Sequence, residues 1–126
     1  MADDGTVYVR YLIDDVDAAV DFYVTHLGFE LVWSAGAAFA EIARGNLHLL
    51  LSGPASSAAR PMPDGRQPVP GGWNRIHLHV DDLAAEVERL GGAVTFRSEI
   101  VTGPGGSQIV FDDPSGNPVE LFQPSR

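Results

Sequence analysis

The chain contains no cysteine, few basic residues and no long apolar run. Without cysteine it has no disulfide, no thiolate metal ligand and no cysteine nucleophile. Only 8 Lys and Arg stand against 17 Asp and Glu, so no basic patch is available to neutralise phosphates. We therefore expect a small-molecule ligand, with neither nucleic acid nor a membrane as partner. The acidic first residues and the lack of a membrane-length apolar stretch predict a cytoplasmic protein.

A repeat relates the two halves of the chain. Residues 7–20, VYVRYLIDDVDAAV, align with residues 74–87, NRIHLHVDDLAAEV. Each copy is typical of a strand with two different faces, a turn with two aspartates and a helix. Asp14 or Asp15 is placed to cap the first helix, and Gly28 to end it. Three short strands are predicted after each helix, at about 29–34, 37–43 and 47–51, and then at 93–97, 108–112 and 119–123.

This pattern predicts a single α+β domain over residues 1–126, because the length suits one core and is too short for two independent ones. It consists of two tandem βαβββ modules, at about 6–52 and 73–124. The linker, at about 53–72, is rich in Ser, Ala, Pro and Gly and is predicted to be loop. Within it, residues 60–66 are either a flap over the ligand site or an exposed connector.

Polar and aromatic side chains occupy the strand faces opposite the predicted helices. One helix covers only one face of each small sheet, so the other face packs against a partner or lines a cavity. Tyr8 and Arg10 lie on that face in the first module, and Arg75, His77 and His79 lie on it in the second. We expect these side chains to recognise a ligand.

The repeat, the segment FYVTHLGF at residues 22–29 and the closing segment FDDPSGNPVELF at residues 111–122 together resemble the vicinal oxygen chelate superfamily. That superfamily includes glyoxalase I, bleomycin-resistance proteins and extradiol dioxygenases. The resemblance covers nearly the whole chain apart from the linker. It implies an open barrel-like sheet with a concave cleft, and a homodimer whose clefts take residues from both chains.

The resemblance also indicates where a metal would bind. Metal-using relatives take four ligands from matched positions on the first and last strands of each module. Here these positions hold Tyr8, Arg75 and Glu120. The fourth is His48 or Leu49, depending on whether the loop at Gly45 is one residue shorter than the loop at Gly116. An arginine cannot ligate a metal because it is always protonated and offers only donors. We therefore predict that an Arg75–Glu120 ion pair takes the place of a metal and that no cofactor is bound.

Two histidines leave an alternative open. His77 and His79 share a strand face and, with Glu120, are a candidate site for Zn, Ni, Fe or Mn that is displaced from the usual register. The other interpretation, which we favour, is that both are neutral and hydrogen-bond to or stack on an organic ligand.

The sequence also leaves the partners of two arginines undecided. Arg10 and Arg75 are placed either to bind a ligand carboxylate, phosphate or polarised carbonyl, or to pair with Glu41, Asp112 or Glu120.

The sequence thus predicts a binding protein, close in character to the metal-free bleomycin-resistance-like members, that sequesters a small aromatic or planar drug or natural product in a dimer cleft. The alternative is a divalent-metal lyase, isomerase or dioxygenase, and a third hypothesis is a metal-independent enzyme with a Glu or His base. The predicted ligand-binding residues are Tyr8, Arg10, Phe39, His48, Trp73, Arg75, His77, His79, Gln108 and Glu120. Trp33 and Phe96 are further possible walls for a planar ligand.

Overall fold

The computed structural model describes residues 4–125, and the chain divides into two compact units, Met1–Pro70 and Gly71–Arg126. The first unit contains β1 (Val7–Leu12), α1 (Val16–Leu27), β2 (Glu30–Ser34), β3 (Phe39–Arg44), β4 (Leu47–Ser52) and a short 3-10 helix (Ser57–Ala59). The second unit contains β5 (Ile76–His79), α2 (Leu83–Leu90), β6 (Thr95–Phe96), β7 (Val101–Gly103), β8 (Gly106–Asp112) and β9 (Pro118–Pro124). The predicted α+β class and the repeated strand-helix-strands order are confirmed.

The first unit is an open four-stranded sheet covered on one face by α1. The strand order is β1-β4-β3-β2, with β1 parallel to β4 and the other neighbours antiparallel. The helix begins at Val16 because the Asp15 carboxylate accepts a hydrogen bond from the Ala18 N–H at 3.1 Å. It ends because Gly28 adopts a left-handed conformation with φ of 72°. Its buried side chains pack on β3 and β4 and form the core of this unit.

The second unit repeats this arrangement with one additional strand. The strand order is β5-β9-β8-β6, and β7 also pairs with β8. Asp82 caps α2 by accepting from the Ala85 N–H at 3.1 Å, as Asp15 caps α1. The strand predicted at 93–97 covers only Thr95–Phe96, and β7 was not predicted because three exposed residues carry almost no alternation signal.

The segment between the two sheets contains little regular structure. Between Ser52 and Ile76, a stretch that the structure describes throughout, the short 3-10 helix is the only helix or strand. Residues 62–66 form a tight turn in which the Met62 N–H donates to the Arg66 carbonyl at 2.8 Å. Neither helix within residues 4–125 is long and apolar enough to cross a membrane.

Candidate functional site

Two strand faces carry most of the predicted ligand-binding residues, one in each unit. Residues that pair across neighbouring strands project from the same side of a sheet, so the strand register assigns each side chain to a face. The first-unit face carries Tyr8, Arg10, Trp33, Phe39, Glu41 and His48. The second-unit face carries Arg75, His77, His79, Gln108, Glu120 and Phe122.

On the first-unit face, the Glu41 carboxylate is held by two ring nitrogens. His48 Nδ1 lies 2.6 Å from Glu41 Oε2, and the Trp33 Nε1–H donates to Glu41 Oε1 at 3.2 Å. The Tyr8 ring lies 5.0 Å from the His48 ring, and the Phe39 ring lies 5.4 Å from the Trp33 ring. The contacts therefore link a carboxylate and an imidazole to three aromatic side chains on one sheet surface.

Trp33 reaches this face because of a β-bulge. Leu31 pairs with Ile42, so an unbroken register would place Trp33 opposite Ala40, on the helix side of the sheet. The register shifts between Leu31 and Trp33, and Trp33 pairs with Glu41 instead. Glu41 was not among the predicted ligand-binding residues, although alternation along β3 places it on this face. Trp33 was predicted only as a possible wall for a planar ligand, and no sequence signal places the bulge that brings it beside Glu41.

Arg10 also lies on the first-unit face, where it is anchored by a buried hydroxyl. Its Nη1–H donates to Ser52 Oγ at 2.9 Å, and Ser52 is completely buried. Glu41, one of its suggested partners, instead contacts His48 and Trp33. Asp112, another suggested partner, pairs at 2.6 Å with Nε of an arginine in the second unit, Arg97.

The second-unit face is centred on Glu120, which is buried with only 6% of its surface exposed. Arg75 Nε and Nη2 each lie 2.9 Å from Glu120 Oε1, and His77 Nδ1 lies 3.2 Å from Oε2. The predicted Arg75–Glu120 pair is therefore present. Both of these guanidinium nitrogens contact the same carboxylate oxygen, and the imidazole contacts the other.

His77 and His79 form a cluster of three rings with Phe122. The two imidazole rings are 5.0 Å apart, and the Phe122 ring lies 4.7 Å from His77 and 5.4 Å from His79. Gln108 pairs with Phe122 across β8 and β9, which places it at the edge of this cluster. Phe122 was not predicted as a site residue, since its position beside the histidines depends on the parallel β5–β9 pairing.

Trp73 lies just before β5 and is held by Arg97. The guanidinium carbon of Arg97 lies 4.5 Å from the centre of the Trp73 ring, a cation–π contact. Arg97 also donates to the Gly72 and Gly116 carbonyls at 2.7 and 3.1 Å. Trp73 nevertheless remains 69% exposed, so most of its ring is open to contact.

The sequence matches a family model over residues 5–121, and that model is described as the Glyoxalase/Bleomycin resistance protein/Dioxygenase superfamily. The chain belongs to this superfamily. A comparison with curated protein sequences gave no match.

Several solved structures of other proteins have the same fold. The chain is 28% identical to TnmS3, an antibiotic-binding protein from Streptomyces sp. CB03234, over 99% of each chain with a TM-score of 0.72. It is 22% identical to lactoylglutathione lyase from Agrobacterium tumefaciens, over 97% of this chain and 95% of that chain, with a TM-score of 0.75. It is 23% identical to the bleomycin-binding protein of Streptomyces verticillus, over 99% of this chain and 100% of that one, with a TM-score of 0.65.

The residues at the metal-ligand positions of this chain show whether a metal could bind there as it does in other members of the superfamily. Within residues 4–125, no group of three or more His, Asp or Glu side chains is arranged to hold a metal ion. A cation at Glu120 would displace Arg75 or stand against its charge, and the second carboxylate oxygen already faces His77. The donor set around Glu120 therefore does not fit a divalent metal at the ligand positions that metal-using relatives use.

The strand register corrects one part of the ligand alignment. Both helix caps and both first strands align at the same offset, which makes Arg10 the counterpart of His77. Glu120 pairs with His77, and Leu50 pairs with Arg10. The first-unit residue that corresponds to Glu120 is therefore Leu50. The prediction of His48 or Leu49, which came from loop lengths, was wrong. His48 instead pairs with Tyr8.

Proposed function

We propose that this protein is a metal-free binding protein of the cytoplasm that sequesters a small planar aromatic molecule, as a resistance protein sequesters a drug or natural product. The observation that carries the proposal is the contact of Arg75 with the buried Glu120. It supplies positive charge from the polypeptide at the carboxylate where metal-using relatives bind a cation. The likeness to TnmS3, named as an antibiotic-binding protein, supports the same conclusion.

The aromatic side chains of the first-unit face give the proposed ligand its class. Tyr8 and Trp33 are 59% and 52% exposed, although such large rings usually bury most of their surface. An aromatic side chain buries on the order of 150–250 Å² when it is covered, and planar rings stack on it in a defined geometry. A flat apolar ligand that covered either ring would remove this exposed surface from water. On the second-unit face, taken by itself, the rings of His77 and His79 are further candidates for contact with a ligand.

A fluorescence titration with planar aromatics such as anthraquinone and acridine, in the presence of a chelator, tests this function. We expect saturable binding that quenches tryptophan emission, is unaffected by the chelator and returns the ligand unchanged. Tyr8→Ala should weaken binding by at least about tenfold, a loss of about 1.4 kcal/mol. Val7→Ala is the matched control, because Val7 is the neighbouring residue on the opposite face with similar exposure, 51%. Loss of binding with the chelator, or equal effects of the two variants, would contradict the proposal.

We also propose a homodimer in which each ligand cleft takes residues from both chains, as the family resemblance implies. Sedimentation of the purified protein should give a single species of twice the monomer mass. A monomer that binds ligand with full affinity would refute this part of the proposal.

A metal-dependent lyase, isomerase or dioxygenase is the second candidate function. The observation that favours it is the closeness of the three residues of the alternative metal site. His77 Nδ1 lies 3.2 Å from Glu120 Oε2, and the His77 ring lies 5.0 Å from the His79 ring. This candidate predicts turnover that is lost on chelation and in His77→Ala and His79→Ala.

A metal-independent enzyme is a third candidate, and the 2.6 Å contact of His48 with Glu41 favours it. Its turnover would survive both chelation and the replacement of His77 and His79.

A further inference from the structure

Arg10 combines exposure with an unusually fixed position. The guanidinium lies on the first-unit face, and its Nη1–H donates to the hydroxyl of the fully buried Ser52 at 2.9 Å. Ser52 Oγ in turn donates to the Leu50 carbonyl at 3.2 Å, so the hydroxyl itself has a defined orientation. A long side chain that is anchored in this way loses less freedom when it binds a ligand. Most of its N–H donors remain for that purpose.

The charge of Arg10 is not neutralised within the part of the chain that the structure describes. Between residues 4 and 125, no carboxylate oxygen lies within 4.0 Å of it, whereas Arg66, Arg75, Arg89 and Arg97 each pair with a carboxylate. Two other described arginines, Arg44 and Arg60, also lack a carboxylate partner, but neither lies on the first-unit face. Arg10 is therefore the cation that this face offers to a ligand.

Aromatic side chains stand next to this cation. Ser52, the anchor of Arg10, pairs with Phe39 across β4 and β3, and the Phe39 ring lies 5.4 Å from the Trp33 ring. A planar molecule lying along these rings would bring a substituent at its edge to the guanidinium. The planar fork of an arginine matches the two oxygens of a carboxylate and also binds a single ionised oxygen.

We propose that Arg10 recognises an anionic oxygen of the ligand, and that the ligand is a planar aromatic acid. The inference rests on the proposed binding function and adds the chemical class of the ligand. The formal net charge of -9 disfavours anions in the surrounding field, so the preference for an acid would depend on this one fixed cation. The guanidinium positions the acid, while the rings supply most of the contact area.

Calorimetric titration with anthracene-2-carboxylate and anthracene-2-carboxamide, which are similar in shape and differ in charge, tests the inference. The wild-type protein should bind the carboxylate at least about tenfold more tightly than the amide, as expected for a charge-assisted pair. In Arg10→Gln the ratio of the two affinities should fall to about one, since only neutral hydrogen bonds remain. Arg44→Gln removes an arginine on the opposite face of β3 and should preserve the wild-type ratio.

The outcomes separate the inference from the proposed function. A carboxylate preference that survives Arg10→Gln would overturn the inference and leave the binding of planar aromatics intact. Failure of both probes to bind the wild-type protein would overturn both. If Arg10→Gln does not fold, Arg10→Met provides a second test, because it keeps most of the apolar stem and removes the charge. The ratio of the two affinities should again fall to about one, and a carboxylate preference that survives would overturn the inference.

Discussion

The ion pair between Arg75 and Glu120 gives a quantitative stability prediction. Arg75→Met removes the guanidinium but keeps most of the apolar stem, and it leaves the buried Glu120 carboxylate with His77 alone at 3.2 Å. Breaking a fully buried pair costs about 3–5 kcal/mol, and a hydrogen bond to a charged group contributes about 1.5–3 kcal/mol. The Arg75 side chain is 26% exposed, so water reaches part of the vacated space. We therefore expect a loss of about 2 kcal/mol.

Urea denaturation followed by circular dichroism measures this loss. With a slope of about 2 kcal/mol per molar urea, the midpoint should fall by about 1 M. Arg66→Met is the matched control because Arg66 pairs with Asp64 at 2.7 Å on the surface, with 83% of its side chain exposed. Its loss should be below about 0.5 kcal/mol.

The double variant Arg75→Met with Glu120→Leu separates the penalty of an unpaired carboxylate from general loss of packing. Because the charge that needed a partner is gone, it should regain most of the stability lost in the single variant. Equal losses for Arg75→Met and Arg66→Met would refute this reasoning. A double variant no more stable than Arg75→Met would refute it as well.

Three further predictions concern the fold. Gly106→Ala should lower the free energy of unfolding by at least about 2 kcal/mol, because its new methyl group would lie 2.2 Å from a backbone oxygen of β9. Gly103→Ala, whose new methyl group has no atom within 4 Å, should lower it by less than about 0.5 kcal/mol. Similar urea midpoints for the two variants would contradict this. Asp113→Ala should cost about 2 kcal/mol, because one carboxylate oxygen accepts two backbone N–H groups of the β8–β9 loop at 2.9 Å each, and an unchanged midpoint would count against it. If residues 1–126 form a single domain, Trp33 in a Trp73→Phe variant and Trp73 in a Trp33→Phe variant should report the same urea midpoint, and separate midpoints would show two domains.

The features that the sequence predicted correctly are mostly local. The cap of the first helix, predicted at Asp14 or Asp15, and its end at Gly28 depend on residues within one turn. The structure has the cap at Asp15 and the left-handed residue at Gly28. The Arg75–Glu120 contact was also predictable, because the repeat and the closing motif fixed both positions. Local chemistry and the internal repeat were thus sufficient to predict the order of the elements and one ion pair.

The features that the sequence did not predict depend on strand register. The bulge that turns Trp33 toward Glu41 leaves no mark in the composition of β2. The position of Phe122 beside the histidines depends on parallel pairing between strands that are distant in sequence. Loop counting gave the wrong counterpart of Glu120 because the β3–β4 and β8–β9 turns differ by more than one residue. A shift of one residue reverses the face of a strand, so small errors of register misplace whole sites.

Metal analysis of the protein purified without a chelating tag tests whether Arg75, and not a metal ion, supplies the positive charge at Glu120. We expect Zn, Ni, Fe and Mn to be substoichiometric in the protein as purified. Calorimetric titration with these ions should show no binding that depends on Glu120. One metal ion bound per chain in the wild-type protein, and lost in the double variant Glu120→Gln with His77→Ala, would contradict this assignment.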